Sequence, residues 1–248
     1  TESRGMACRR AENRTTISAM AATTRDAILG GKLHLVQPAP GTGYRMNQDA
    51  VLLADFAHEG RTAERALDLG AGVGAIGLML LARKTARNVI FVEIDAALAT
   101  LAQGNVAANQ FGEQGRVAIG DVATFECSEV VDLVVCNPPF FPGKTGRPSP
   151  NEALNQARMG DVSAFIGCAR RTVAPKGRVC FIYPVLYLET LVAGLCKAGL
   201  VPKRMRLVHP KRDANARVAL VEAVVGKPNG LQIQAPWFDD SYVFQELE

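Results

Sequence analysis

Apolar residues alternate along the chain between two spacings. Short runs of successive apolar positions, typical of buried strands, alternate with longer segments in which apolar residues follow helical spacing. This alternation predicts an α/β fold with a mainly parallel sheet. The predicted strands cover residues 32–37, 44–46, 66–69, 89–93, 116–119, 131–136, 179–183, 205–208 and 217–224, and the predicted helices cover residues 47–57, 74–82, 96–109, 161–173 and 187–198.

The two ends of the chain depart from this alternation. The last two predicted strands follow each other with no helix between them, which predicts an antiparallel pair at the edge of the sheet. The beginning is polar, mixed in charge and without apolar periodicity. We therefore expect residues 1–30 to form a flexible tail and residues 31–248 to form a single domain.

Composition limits the class of protein. A chain of 248 residues with 48% hydrophobic residues can bury one good core. Because no apolar stretch approaches the roughly 18 residues of a membrane span, and no signal-peptide core is visible, we expect a cytoplasmic protein that does not bind membranes. The six cysteines form no C-x-x-C pair and are expected to be reduced core residues, and the three scattered histidines predict no metal site.

Charge is distributed unevenly along the chain. Residues 1–140 contain 13 Lys and Arg against 15 Asp and Glu, a net charge of −2, whereas residues 141–248 contain 15 against 9, a net charge of +6. A basic half suits a polyanionic partner such as RNA, but an ordinary solvated surface gives the same composition. The choice between them depends on the motifs.

A glycine-rich segment follows one of the predicted strands. Residues 67–74, LDLGAGVG, lead from the strand through three glycines into a helix, and glycine allows the backbone to approach a ligand closely. Gly72, Gly74 and Gly77 also have the spacing of a dinucleotide-binding loop, so a nicotinamide or flavin cofactor is an alternative. Asp68 favours S-adenosylmethionine, because a carboxylate can bind the cationic amino-acid group that dinucleotides lack.

Two further acids end predicted strands. Glu93 ends the strand after the glycine loop, and Asp121 follows the third strand. Ligands of open α/β sheets bind at the carboxyl edge, where Glu93 can accept both ribose hydroxyl protons and Asp121 can accept a hydrogen bond from the adenine amine of the cofactor. For Asp121 and Asp95, helix capping is the alternative.

The tetrapeptide Asn137-Pro138-Pro139-Phe140 follows the apolar strand 131–136. Two consecutive prolines fix the backbone and remove two amide donors, which leaves carbonyl oxygens and the Asn137 side chain as acceptors. Such acceptors can hold both hydrogens of a planar amine and direct its lone pair towards a methyl donor. Phe140 provides a face on which a base can stack. An ordinary strand-ending turn is the alternative.

The glycine-rich strand end and this tetrapeptide resemble those of class I methyltransferases that modify a planar nitrogen. Residues 43–53, GYRMNQDAVLL, are similar to the start of bacterial enzymes that methylate an adenine beside the anticodon of valine tRNA. The resemblance covers roughly residues 32–227. It implies a Rossmann-like α/β fold with a mainly parallel seven-stranded sheet, an antiparallel C-terminal edge and helices on both faces. It also implies S-adenosylmethionine as cofactor and RNA, in particular tRNA, as substrate.

The resemblance also implies which residues form the site. Phe140 departs from the family pattern, in which tyrosine is common at this position, so stacking is retained and a hydroxyl contact is lost. The target base would lie against Asn137, Pro138, Pro139 and Phe140, and the cofactor would lie among Arg45, Asp49, Asp68, Gly70, Gly72, Glu93, Asp121 and Asn137.

Basic residues beyond the tetrapeptide are candidates for RNA binding. Residues 141–150 form a polar loop rich in proline and glycine, which we expect to be a mobile lid over the substrate. An electrostatic track for the RNA backbone is predicted from Phe140 outwards. Its predicted members are Lys144, Arg147, Arg158, Arg204, Lys211 and Arg212, together with Lys203, Arg206 and Arg217.

Three alternatives to an RNA methyltransferase remain. The same acceptor pair can hold the side-chain amide of a protein glutamine, so a protein N-methyltransferase is the second hypothesis. A small-molecule O-methyltransferase is less favoured, because hydroxyl substrates usually need a general base or a metal. A non-enzymatic adaptor with a methyltransferase fold is disfavoured by the intact acceptor motif. The sequence does not indicate an oligomeric state.

Overall fold

A computed structural model describes residues 22–59, 62–139, 162–226 and 229–240 of the chain. Within these ranges the protein contains a two-stranded hairpin and a larger sheet flanked by five α-helices. The strands are β1 (Thr23–Ile28), β2 (Leu33–Pro38), β3 (Ala63–Leu69), β4 (Ala86–Glu93), β5 (Gly115–Ile119), β6 (Val131–Cys136), β7 (Val173–Pro184), β8 (Leu200–His209), β9 (Val218–Val225), β10 (Gln232–Ile233) and β11 (Trp237–Phe238). The helices are α1 (Gln48–His58), α2 (Ala75–Ala82), α3 (Ala96–Ala108), α4 (Val162–Thr172) and α5 (Leu188–Lys197).

The larger sheet has the order β10-β8-β9-β7-β6-β3-β4-β5, and β11 also pairs with β8. It thus has nine strands in the described residues rather than the expected seven, because the two-residue strands β10 and β11 add to its outer edge. The strands from β7 to β5 pair in parallel, as the alternation of strands and helices predicted. Strand β9 is antiparallel to both β7 and β8. The predicted antiparallel pair is therefore confirmed, but β9 lies inside the sheet. After β7, helix α5 leads to β8, which lies one strand position away from β7. The hairpin after β8 then places β9 in the gap between β7 and β8.

Helices cover both faces of the sheet, and strand alternation determines which side chains each face receives. On one face, Leu52 of α1 and Leu78 of α2 belong to a core cluster that also includes Val135 of β6. On the opposite face, Phe165 of α4 and Leu191 of α5 pack in a second cluster. The predicted three-layer arrangement is confirmed.

The hairpin corrects two predictions near the beginning of the chain. Thr23–Ile28, expected to lie in the flexible tail, form β1 and pair with β2. Residues 44–46, expected to form a strand, lie outside the strands described. Ile28 is the only large apolar side chain in β1, so hydrophobic periodicity could not reveal a strand held by backbone pairing and polar contacts. Residues 1–21 of the predicted tail lie outside the described residues.

A buried asparagine attaches this hairpin to the larger sheet. The side chain of Asn105 on α3 accepts a hydrogen bond from the Val36 amide at 2.7 Å and donates to the Val36 carbonyl at 2.9 Å. Its amide group also donates to the carbonyl of Val73, in the glycine-rich loop, at 2.9 Å. Because Asn105 is fully buried, one side chain fixes β2, α3 and the glycine loop relative to one another.

The cysteine prediction holds for the three thiols in the core. Cys136, Cys168 and Cys180 are free and buried, whereas Cys196 is free and exposed near the end of α5. None of the helices in the described ranges is long and apolar enough to cross a membrane.

We predict that Gly77→Ala destabilises the protein by about 1 to 3 kcal/mol through overpacking. A Cβ atom on this residue of α2 would lie 2.2 Å from Cε1 of Phe91, which packs beneath the helix. Gly104→Ala is the matched control, because a Cβ there meets nothing within 4 Å, and it should stabilise α3 by up to about 1 kcal/mol. Urea unfolding measures both effects. Equal stabilities of the two variants would contradict the close contact between α2 and β4.

Candidate active site at the carboxyl edge of the sheet

The ends of four adjacent parallel strands bring the predicted motifs together. Leu69 at the end of β3 is in register with Val92 on one side and with Cys136 on the other. Glu93 at the end of β4 is in register with Ile119 at the end of β5. The glycine loop, Glu93, the turn after β5 and the Asn-Pro-Pro segment therefore share one edge of the sheet, as the sequence predicted.

The glycine loop has a backbone that requires glycine. Gly70, Gly72 and Gly74 have φ values of 71°, 56° and 86°, in the left-handed region that other residues rarely adopt. A Cβ atom on Gly72 would lie 2.9 Å from Cε1 of Tyr44. Any larger residue at this position would thus be strained in its backbone and would collide with the tyrosine ring.

Asp68 is the deepest acid of the site. Its side chain is fully buried, and Oδ2 accepts a hydrogen bond from the Gly77 amide at 2.9 Å. The other oxygen, Oδ1, is buried without a hydrogen-bond partner. Burial, opposed by the bond from Gly77 and assisted by the charge of Glu93, raises the pKa of Asp68 to about 7. An unpartnered carboxylate oxygen of this kind is suited to a cationic ligand group.

Glu93 joins the ends of β3 and β4. Its Oε2 accepts a hydrogen bond from the Gly72 amide at 2.7 Å, and its Oε1 accepts one from the Asp95 amide at 2.9 Å. Each carboxylate oxygen has two acceptor positions, so capacity for ligand hydroxyls remains. Glu93 as a whole is 7% exposed, so it lies at the border between the core and the edge of the sheet.

The two other strand-end acids have local partners. Asp95 is the N-cap of α3, where its side chain accepts hydrogen bonds from the amides of Ala97 and Leu98, so the capping alternative is confirmed for this residue. Asp121 is exposed, and its Oδ1 accepts a bond from the Ala123 amide at 2.8 Å. Its carboxylate thus shapes the turn after β5 while remaining open to solvent.

Tyr44 is a member of the site that the sequence analysis did not single out. Its ring covers Gly72, and 46% of the residue is exposed. Desolvation of the hydroxyl, followed by the negative charges of Asp68, Asp49 and Glu93, raises the pKa of Tyr44 to about 12. The charges of three carboxylates therefore act on this tyrosine. We refer to Tyr44, Asp49, Asp68, Gly72 and Glu93 together as the acidic recess.

Arg45 and Asp49 differ in their relation to this recess. The guanidinium of Arg45 donates to Asp26 at 2.9 Å, to Thr24 and to the carbonyl of Pro38, so it anchors the hairpin. A contact between Arg45 and a cofactor would require it to leave these partners. Asp49 lies in the first turn of α1, its charge contributes to the raised pKa of Tyr44, and its Oδ1 accepts a hydrogen bond from Arg217 at 2.5 Å.

The Asn-Pro-Pro segment begins directly after β6. Asn137 is half-buried, Pro138 is buried and Pro139 is exposed. Asn137 follows Cys136, the register partner of Leu69, just as Gly70 follows Leu69, so it lies beside the start of the glycine loop. Its side-chain amide has no hydrogen-bond partner in the part of the chain that the structure describes. Phe140, Lys144, Arg147, Arg158 and the predicted lid over residues 141–150 lie outside the described residues.

The predicted electrostatic track divides into paired and open residues. Arg204 pairs with Glu59 at 2.7 Å and with Glu222 at 2.9 Å, and its guanidinium lies 3.9 Å from the ring centre of Phe56. With 13% of its side chain exposed, Arg204 is held within the fold, and the predicted contact with RNA would require it to leave these partners. Sequence alone could not show that distant acids neutralise it.

Arg206 forms an ion pair with Glu59. Arg217 forms ion pairs with Asp49 and with Asp239. Lys211 and Arg212 remain exposed just beyond β8. Lys211 lies 3.7 Å from the exposed Asp213, and Arg212 lies 5.2 Å from the ring centre of Phe238. Of the predicted track residues that the structure describes, Lys211 and Arg212 are the two that are exposed.

Comparisons with known proteins identify the family of the chain. The model of the methyltransferase small domain family matches residues 47–182, which include α1, the glycine loop and the Asn-Pro-Pro segment. The chain is 31% identical over 180 residues to the tRNA1(Val) (adenine(37)-N6)-methyltransferase of Phocaeicola vulgatus, covering 71% of this chain and 75% of the relative. It is 32% identical over 182 residues to the protein of the same name from Tolumonas auensis, with the same two coverages.

Solved structures show the same fold at lower identity. A predicted O-methyltransferase of Agrobacterium tumefaciens superposes with a TM-score of 0.60 and 24% identity, covering 76% of this chain and 86% of the other. The N-methyltransferase NodS of Bradyrhizobium japonicum gives a TM-score of 0.53 and 13% identity, covering 73% and 96%. The resemblance inferred from the sequence motifs is confirmed. The chain belongs to the methyltransferase small domain family, and its fold and cofactor are those of the class I S-adenosylmethionine-dependent methyltransferases.

Proposed function

We propose that this enzyme transfers a methyl group from S-adenosylmethionine to the exocyclic amine of an adenine in tRNA. The observation that carries the proposal is the position of Asn137, which follows β6 beside the glycine loop at the carboxyl edge of the sheet. The names of the relatives support tRNA adenine as the substrate class. Because such an enzyme meets tRNA in the cytoplasm, we place it there.

The acidic recess fits the amino-acid and ribose parts of the cofactor. Asp68 Oδ1 is an orphaned acceptor that the α-ammonium group would satisfy, and the left-handed glycine loop would let a ligand approach the backbone closely. Glu93 would accept hydrogen bonds from the ribose hydroxyls, and Asp121 would accept one from the cofactor's adenine amine. Asp49 and Arg45 complete the proposed cofactor set. When bound, S-adenosylmethionine supplies an electrophilic methyl group.

The Asn-Pro-Pro segment would activate the amine without a strong base. An exocyclic amine conjugated to a purine is a poor nucleophile, because its lone pair is delocalised into the ring. The Asn137 side-chain oxygen and the Pro138 carbonyl would accept its two hydrogens and hold the lone pair towards the methyl donor. A proton then leaves the positively charged product amine to solvent. Phe140 would stack on the target base.

RNA binding would come from the surface of this domain. Lys211 and Arg212 are exposed beyond the carboxyl end of β8, which lies at the same edge of the sheet as Asn137 because β8 runs parallel to β6. Lys144, Arg147 and Arg158, which follow the Asn-Pro-Pro segment, are the further proposed contacts. These cations would neutralise backbone phosphates and orient the RNA, leaving selection of the adenine to the site itself.

Methylation of a protein glutamine amide is the second candidate, because Asn137 and Pro138 can hold any planar amine. Incubation of the enzyme with methyl-labelled S-adenosylmethionine and, in parallel, total tRNA, a protein extract or DNA separates the candidates. We expect label in tRNA and its release as N6-methyladenosine after digestion to nucleosides. Label found in N5-methylglutamine of digested protein, with none in tRNA, would replace the proposed substrate.

Asn137→Ala should lower the rate of methyl transfer by about 100- to 1,000-fold, because an acceptor that acts on the nucleophile is lost. The dissociation constant of S-adenosylhomocysteine should change by less than about threefold. Asn88→Ala, which removes a partly buried asparagine near the opposite edge of the sheet, is the matched control and should retain full activity. Single-turnover assays and calorimetry measure both quantities. A normal rate in Asn137→Ala would refute the acceptor mechanism.

Cofactor binding should depend on pH through Asp68. Burial raises the pKa of Asp68 to about 7 in the free enzyme, whereas a cationic ligand favours the ionised carboxylate. Binding should therefore release a proton near neutrality, and affinity should fall by up to about tenfold as the pH decreases from 7 to 6. Calorimetry of S-adenosylhomocysteine between pH 6 and 8.5 tests this expectation.

Asp68→Asn is the control for this titration, because it keeps the shape of the side chain and removes the ionisation. It should bind the ligand weakly and with little change over the same pH range. An equal pH dependence in this variant would show that another group titrates.

Replacement of Lys211 and Arg212 together by alanine should weaken tRNA binding and reduce the salt dependence of the binding constant by roughly one to two ion equivalents. Replacement of Arg87 and Lys176, which are exposed at the opposite edge of the sheet, removes the same charge and should have little effect. Filter binding of tRNA across a series of salt concentrations measures the slopes. Identical slopes for the two double variants would exclude this face as the RNA surface.

A further inference from the structure

The C-terminal part of the described chain lies along the outer edge of the larger sheet. Strand β10 pairs with β8 at Arg204 and Met205, and β11 pairs with β8 at Val208 and His209. The Asp239 amide then donates to the His209 carbonyl at 2.9 Å. Since β11 runs parallel to β8, residues 232–240, which we call the C-terminal strap, bring Asp239 to the carboxyl edge of the sheet.

Arg217 joins the strap to the acidic recess. Its Nε and Nη2 donate to the two carboxylate oxygens of Asp239, the latter at 3.0 Å, and its Nη1 donates to Oδ1 of Asp49 at 2.5 Å. This fork matches the two oxygens of Asp239 and leaves one nitrogen for a second acid. One guanidinium therefore holds two carboxylates that are 190 positions apart in the sequence.

The backbone of Arg217 is fixed as well as its side chain. Its amide donates to the Val208 carbonyl at 2.8 Å, and its carbonyl accepts a hydrogen bond from the Val185 amide at 3.0 Å. The residue immediately precedes β9, between the ends of β7 and β8. Because its backbone is fixed and Asp239 binds its guanidinium, the Arg217 side chain can hold Asp49 in one orientation.

Asp49 is the end of this chain of contacts that belongs to the proposed cofactor site. It lies in the first turn of α1, which Asn47 caps, and its carboxylate is close enough to Tyr44 to raise the pKa of the tyrosine together with Asp68 and Glu93. Arg217 binds Oδ1 of Asp49, which leaves Oδ2 available as an acceptor for another group. The orientation of Asp49 in the recess thus depends on a group outside it.

We propose that Arg217 and Asp239 are positioning residues through which the C-terminal strap sets the Asp49 carboxylate for binding of S-adenosylmethionine. The inference rests on the proposed role of Asp49 in the cofactor site. It assigns Arg217 to cofactor binding, whereas the sequence analysis placed it on the RNA track. It also makes the strap, which lies beyond the residues that the family model matches, a part of the catalytic domain's cofactor site.

A double-mutant cycle on the full chain tests this relay, with S-adenosylhomocysteine as the probe in calorimetry without RNA. Asp239→Asn keeps the shape of the side chain and removes its charge, and Arg217→Lys keeps the charge and loses the fork. Each should weaken binding by about tenfold. In the Asp49→Asn background, Asp239→Asn should cause no further weakening. Asp213→Asn, which removes an exposed acid on the loop before β9, is the charge-matched control and should bind as the parent does.

Three outcomes would overturn the inference. If Asp49→Asn binds the probe normally, the role of Asp49 in the proposed cofactor site fails and the relay fails with it. If Asp49→Asn binds weakly but Asp239→Asn and Arg217→Lys bind normally, the relay alone fails. If Asp239→Asn weakens binding equally in both backgrounds, its effect does not pass through Asp49.

Hydrogen exchange of the unmodified protein provides a readout that does not depend on the folding of any variant. The Asp239 amide, bonded to the His209 carbonyl, should exchange several-fold more slowly when S-adenosylhomocysteine is added, because a ligand that holds Asp49 also holds the strap. The same exchange rate with and without ligand, at saturating concentration, would contradict the coupling.

Discussion

The hydrogen bond from the Gly72 amide to the Glu93 carboxylate, at 2.7 Å, is the contact on which the geometry of the site depends. It joins the glycine loop after β3 to Glu93 at the end of β4. The loop can accept this arrangement because Gly72 has a left-handed backbone and no side chain to collide with Tyr44. Without the bond, the Gly72 amide would lack this partner and Glu93 would keep only the hydrogen bond from the Asp95 amide, so the recess would lose its shape.

The edge of the sheet combines two chemically different halves. The recess around Tyr44 is acidic, and burial of Asp68 leaves one carboxylate oxygen unsatisfied, so it favours a cation. The adjoining Asn-Pro-Pro segment carries no charge and offers acceptors for a neutral amine. The strand register that sets Asn137 beside Gly70 brings these halves together. In the proposed reaction, a charged cofactor and a weakly nucleophilic amine would meet at this edge of the sheet.

Local chemistry determined what could be predicted from the sequence. Buried parallel strands, the glycine loop and the Asn-Pro-Pro turn are each encoded within a few residues, and their shared edge follows from parallel topology. Strand β1 could not be predicted, because its stability comes from pairing with β2 rather than from its own apolar pattern. The roles of Arg204 and Arg217 were equally hidden, because their partners Glu59, Asp49 and Asp239 are distant in sequence. Tyr44 can be recognised as a site residue only in the folded protein, where its ring lies over Gly72 of the glycine loop.

A crystal structure of the enzyme with sinefungin, in which an amine replaces the transferable methyl group, tests the central claim most directly. The account predicts the α-ammonium group against Oδ1 of Asp68, the ribose against Glu93, and the substituted amine directed towards the side-chain oxygen of Asn137. Binding of the ligand elsewhere, or an Asn137 side chain turned away from the ligand and held by another protein group, would contradict it.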